Sequence, residues 1–201
     1  MINKLFNISE VNPPDFKAEA ESGAVSESQL AEDLKRGTAE RKIHHIIGEI
    51  KPGECISFWS NGDWSLWELI AHLLKQTGHG TEIYLATWSI SELSARKLCQ
   101  WMDEGLVSKL VGVIDFRSKN RHPAAYHLSK NVFSEIRVAF CHAKVTVLKG
   151  NGHCITINGS ANWTENPRLE SGVIINSHVT GESTIELINE IVAKGEYRLE
   201  D

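Results

Sequence analysis

The sequence predicts an α/β sandwich, a mixed and largely central β-sheet flanked by helices on both faces. Three observations carry this. Short runs rich in β-branched residues alternate with amphipathic helical stretches along most of the chain. Late in the chain two such runs, Ala143 to Leu148 and Cys154 to Ile157, are joined by Lys149-Gly150-Asn151-Gly152, the composition of a β-hairpin turn. At 201 residues and 41% hydrophobic content the chain can bury a real core, most simply that of one domain.

Taken in order, residues 1–41 read as an N-terminal arm, disordered or helical in part. They are rich in Glu, Ala and Ser, contain Pro13-Pro14, and show little apolar periodicity before Leu30 and Leu34. Residues 42–201 read as the folded domain. In it, Ile43 to Ile50 is expected to be a strand and Cys55 to Ser60 a second, closed by the turn Asn61-Gly62-Asp63. Ser65 is placed to cap a helix that carries Leu66, Leu69, Ile70, Leu73 and Leu74 at helical spacing. A strand from Ile83 to Ser89 follows, then a helix after Ser91 that ends near Gly105. Next come a strand from Leu110 to Phe116, a helix around Ala124 to Lys130, a strand from Ile136 to Phe140 and the hairpin. A last strand, Gly172 to Asn176, precedes a helix with Ile185, Leu187, Ile188, Ile191 and Val192. Parallel strands gather ligand-binding loops at their carboxyl ends, so the loops after Ser89 and after Phe116 are expected on one rim.

The chemistry concentrates around the hairpin. Cys141-His142-Ala143-Lys144 precedes Gly159-Ser160-Ala161-Asn162-Trp163, with Asn166 and Glu170 beyond. Alternate residues of a strand share a face, so His142 and Lys144 are expected to point the same way, and the antiparallel return brings Gly159 to Asn162 toward the same end. A neutral imidazole can attack phosphorus while an ammonium, a carboxamide and a hydroxyl stabilise the equatorial oxygens. Glu170 is the candidate to hold the imidazole in one tautomer. Arg117, Lys119 and Arg121 form a dense positive run for a substrate. Trp163 has two roles open to it, stacking on a base or packing beneath the site, and packing is favoured. The remaining tryptophans, Trp59, Trp64, Trp67, Trp88 and Trp101, are expected as core or dimer-interface anchors.

His142-Ala143-Lys144 with Gly159-Ser160-Ala161-Asn162-Trp163-Thr164 and Glu170 resembles the H-x-K…G-S-x-N motif of the phospholipase D superfamily, above all its small single-motif members. Glu82 to Ser91 and Lys109 to Asp115 look like that family's first strands, and the likeness extends from about Ser57 to Ile191. The resemblance implies a metal-independent phosphodiesterase acting through a phosphohistidine, with no cofactor. It also implies a homodimer in which one His142 is nucleophile while the partner subunit's His142 is general acid, with Lys144, Asn162 and Ser160 on the phosphate. Nucleic acid is the favoured substrate. The sequence departs from the motif at Lys149, where the family has Asp. A degenerate member that binds nucleic acid or protein without cutting, and a lipid phosphodiesterase, are the alternatives.

Composition sets limits. A net charge of -5 speaks against a generally basic nucleic-acid-binding surface, leaving that role to a local patch. No run is long enough to cross a bilayer, and Met1 to Phe6 lacks the shape of a secretory signal, so a cytoplasmic protein without stable membrane association is expected. Cys55, Cys99, Cys141 and Cys154 form no C-x-x-C pair, which argues against disulfides and zinc alike. Only Cys141-His142 with His153-Cys154 could be mistaken for metal ligands, and three of those four would have to turn together off two strands.

Overall fold

The computed structural model describes residues 28–165 and 168–194, with side chains from residue 37 onward. The elements below belong to the compact unit Lys35–Asp201, apart from the start of the first helix. Most of the arm read at the N-terminus, and Asn166, lie outside the described residues.

The element order is α1 (Ser28–Ile46), β1 (Cys55–Asn61), α2 (Leu66–Thr77), β2 (Thr81–Thr87), α3 (Glu92–Asp103), β3 (Val107–Asp115), α4 (Ser118–Arg121), α5 (Pro123–Val132), β4 (Glu135–Ala139), β5 (Lys144–Gly150), β6 (His153–Gly159), β7 (Leu169–Asn176) and α6 (His178–Ala193). Seven strands among the described residues form one mixed sheet in the order β1-β7-β6-β5-β2-β3-β4. β2, β3 and β4 run parallel, and β5, β6, β7 and β1 continue the sheet antiparallel.

Both faces are covered, as the alternation predicts. Leu69, Ile70 and Leu73 of α2, Ala95 and Leu98 of α3, and Ala125 of α5 bury one face together with Phe58, Ile83, Leu85, Leu110, Ile157 and Ile174. Removing a side chain of this kind from water is worth about 1.5–3 kcal/mol. On the other face, Ile185 and Ile188 of α6 close over Tyr84, Ala86, Val111, Val113 and Val147. Helix α6 packs on β2 to β6. On its side of the sheet, the β1 and β7 end keeps Trp59 65% exposed and Leu169 62% exposed.

Three expectations need correction. Ile43 to Ile50 is not a strand: α1 runs through Ile46 and a loop follows. Ala39, Ile43 and Ile47 are all buried at a spacing of four, so the isoleucines serve a helix face despite their β preference. The basic run after Phe116 is not wholly loop, because Ser118 to Arg121 form a short helix. Lys149 lies within β5 rather than in the turn, which is Asn151-Gly152 with φ values of 45° and 75°, the left-handed pair a two-residue hairpin turn requires.

The topology positions the site. The carboxyl ends of β2, β3 and β4 share one rim, and Thr87 pairs with Lys144 at the start of antiparallel β5. Gly159, at the end of β6, pairs with Gly172 in β7. A side chain at Gly159 would put its Cβ 2.6 Å from the Ser171 carbonyl oxygen. Close strand pairing requires that glycine.

Candidate active site

An open cleft of about 540 Å³ lies at this rim, lined by Trp88, His142, Ala143, Lys144, Asn158, Gly159, Ser160 and Asn162. Four of the residues singled out in the sequence, His142, Lys144, Ser160 and Asn162, thus face one space. Their backbones come from two segments, the entry to β5 and the exit from β6, joined by strand pairing from Val145–Asn158 onward.

His142 is exposed and sits just before β5, not within it. The residue before it is fixed by Asp115, which is fully buried at the end of β3. Its Oδ2 accepts the Cys141 N–H at 3.1 Å. The same carboxylate accepts Arg117 Nε at 2.7 Å and Nη2 at 3.1 Å. Burial pushes the Asp115 carboxyl up, but the Arg117 guanidinium and the amides of Cys141 and Arg117 outweigh it and hold it below the usual carboxylate range. Burial also raises the Cys141 thiol, which keeps it out of nucleophilic chemistry.

The His142 ring lies 5.8 Å from the Trp88 ring, centroid to centroid. Among the described residues no hydrogen bond is made by its imidazole. The Lys144 ammonium folds back to donate to the His142 carbonyl at 3.1 Å, so cation and imidazole belong to one corner of the cleft. Two buried polar atoms of the lining, Trp88 Nε1 and Asn162 Oδ1, have no hydrogen-bond partner among the described residues.

Glu170 is not brought to the imidazole of its own chain. Its Oε2 accepts the Ser160 hydroxyl, while Ser160 Oγ accepts the Ser171 N–H at 3.0 Å. The one hydroxyl proton of Ser160 is directed at Glu170, with the Ser171 carbonyl oxygen at 3.3 Å as its other acceptor.

The basic run divides. The Arg121 and Arg117 guanidinium carbons lie 5.3 Å and 5.6 Å from the Trp88 ring centroid, over the ring that borders the cleft. Lys119 stays exposed on α4. Trp163 is 1% exposed and donates through Nε1 to Thr146 Oγ1 at 3.0 Å, so it packs beneath the site and presents no face to a base; the substrate-stacking role is thereby corrected. Lys149 stands at the far end of β5 from Lys144, five residues or about 17 Å along the strand. There it pairs with Glu182 at 2.8 Å, which removes this departure from the cleft.

Trp88 and Asn158, which line the cleft, escaped the sequence reading as site residues, and Asp115, which is buried, escaped it as a support. Trp88 lines the site, and Asp115 holds the segment before His142. The available signal was positional, a tryptophan and an aspartate each at the carboxyl end of an apolar strand.

No family model matches this chain, and no curated protein does. Among solved structures it is similar to a phospholipase D family member, Nuc from Salmonella typhimurium, at 16% identity and a TM-score of 0.48, over 68% of this chain and 92% of that one. It is similar to polyphosphate kinase from Porphyromonas gingivalis at 14% identity and a TM-score of 0.49, over 96% of this chain and 33% of that one. It is also similar to TrmBL2, an archaeal chromatin protein, at 17% identity and a TM-score of 0.49, over 82% of this chain and 64% of that one. Among the described residues no helix is long and apolar enough to cross a membrane.

Proposed function

We propose that the cleft hydrolyses phosphodiesters through His142 without a catalytic metal, and that nucleic acid is the preferred substrate. The observation that carries this is the convergence of His142, Lys144, Ser160 and Asn162 on one cleft beside a stacked arginine pair, a set made of a nucleophile and anion-binding donors. A ring nitrogen of His142 attacks phosphorus and forms the P–N bond as the P–O bond to the leaving group breaks. Lys144 and Asn162 bear the equatorial oxygens. The Ser160 hydroxyl turns its hydrogen bond from Glu170 to the phosphate, keeping its proton, which frees the Glu170 carboxylate to orient an imidazole. Water then cleaves the P–N bond and regenerates His142.

The leaving oxygen needs a proton donor, and one chain offers one such histidine. A homodimer supplies the second in the partner subunit's His142. Support for a contact surface comes from Trp59 and Leu169, exposed diagonal neighbours on the adjoining strands β1 and β7. Trp59 is too exposed for the core half of its sequence reading.

Turnover of single- and double-stranded DNA, RNA, phosphatidylcholine and bis(p-nitrophenyl) phosphate in the presence of EDTA tests the proposal. Chelator-resistant cleavage of nucleic acid, lost in His142→Ala, is expected. Preference for the lipid would move the substrate class. DNA binding by wild type and His142→Ala alike, with no cleavage by either, would replace the enzyme with a binding module of the same cleft.

A further inference from the structure

At the opposite end of the β5–β6 hairpin from the cleft, Cys154, His178 and Glu182 bring one ligand atom each within 4.8 Å of one another. The geometry points to a binding site for a divalent zinc-like cation, held by a sulfur, a nitrogen and a carboxylate oxygen, that clips α6 to the hairpin.

The backbone supports this arrangement. His178 and Glu182 are four residues apart on α6, hence on one face of the helix. Gly181 lets that face approach the strand: a Cβ there would sit 2.1 Å from Cys154 Sγ. The helix start is fixed to the same strand, because the Ser177 N–H donates to the Cys154 carbonyl at 3.0 Å. Cys154 is fully buried, whereas His178 is exposed, so the cluster has a buried soft donor and an open side for entry.

The donors suit a borderline cation. The Gly152 carbonyl lies 3.0 Å from His178 Nε2, and since a carbonyl only accepts, the neutral ring carries its proton there and leaves Nδ1 with a free lone pair. When a cation binds, the Cys154 S–H proton leaves to solvent, a metal–sulfur bond forms, and no electron is transferred. Cysteine, histidine and carboxylate are zinc's protein ligands, and three of them leave a fourth position for water. The sequence neighbours do not act together here, since His153 Nδ1 accepts from Asn176 Nδ2 at 2.8 Å instead. The inference stands apart from the reading of the cleft.

Titration of the purified full chain with Co²⁺, followed by displacement with Zn²⁺, tests it. One equivalent should produce a thiolate-to-cobalt charge-transfer band with intense tetrahedral d–d absorption. His178→Ala and Glu182→Gln, both outside the core, should each weaken binding by at least about tenfold. Cys154→Ser should abolish the band, and His142→Ala should leave it unchanged. Zn²⁺ should raise the melting temperature of wild type and not that of His178→Ala. Absence of the charge-transfer band in folded wild type would overturn the site. So would a band that survives in His178→Ala and Glu182→Gln, which would assign it to another thiol such as exposed Cys55.

Discussion

Asp115, at the end of β3, accepts the backbone N–H of Cys141 at 3.1 Å, and so ties that strand to the residue that precedes His142. The tie crosses from the end of β3 to the loop before β5 and is buried. Replacing Asp115 with Asn keeps an acceptor but loses the charge that Arg117 engages through two nitrogens. Because Arg117 is partly exposed, the expected cost is near the low end for a buried charge-assisted bond, about 1–3 kcal/mol in a urea titration. Turnover should fall with it, as the entry to β5 relaxes.

The same carboxylate gives a signed pH dependence. Its folded pKa is depressed, so its contribution is in place above the unfolded value of about 3.9 and is lost as pH falls through the folded value. Wild type should therefore lose urea resistance below about pH 4 more steeply than Asp115→Asn, which starts lower. Parallel curves for the two would contradict the assignment.

Side chains of the cleft should separate chemistry from stability. His142 is exposed and its imidazole has no hydrogen bond among the described residues, so His142→Ala should leave the melting temperature nearly unchanged while turnover drops by at least about a thousandfold. Lys144→Ala should cost about a hundredfold to a thousandfold in kcat, as expected for one group stabilising transition-state charge. Steady-state kinetics beside thermal melts check both.

Trp88 should act on binding. Its ring carries Arg117 and Arg121 and borders His142, so Trp88→Ala should raise KM for an oligonucleotide more than it lowers kcat. The effect expected of one lost stacking platform is about 1–3 kcal/mol. An unchanged KM would remove Trp88 from the substrate path.

Much of this fold was legible because local chemistry and tertiary structure agree. Asn151-Gly152 supplies the left-handed turn that its neighbours need, and Ser91 caps α3 by accepting the Ser94 N–H at 3.2 Å. The isoleucines of 43–50 misled because β-branched residues can also line a helix, where their spacing of four, not their type, was the informative signal. Convergence of His142, Lys144, Ser160 and Asn162 followed from the antiparallel return, which sets the entry to β5 beside the exit from β6; strand alternation does not reach His142, which lies before the strand. The roles of Asp115, Trp88 and Glu170 did not, because each depends on contacts between strands that only the sheet order creates. Ser160 meets Glu170 because Gly159 pairs with Gly172, and no local pattern specifies that register.

The dimer proposal has its own handle. Trp59→Ser should weaken self-association by at least about 2 kcal/mol if the exposed β1 and β7 face holds the partner. Light scattering should then show monomers at concentrations where wild type is dimeric, with activity falling in step.

The most direct test of the mechanism is a covalent trap. Wild-type protein mixed with bis(p-nitrophenyl) phosphate and quenched into denaturant during turnover should yield a phosphorylated peptide with the modification on the His142 ring, absent from His142→Gln. Efficient turnover with no adduct on His142 at any quench time, or turnover retained by His142→Gln, would contradict it.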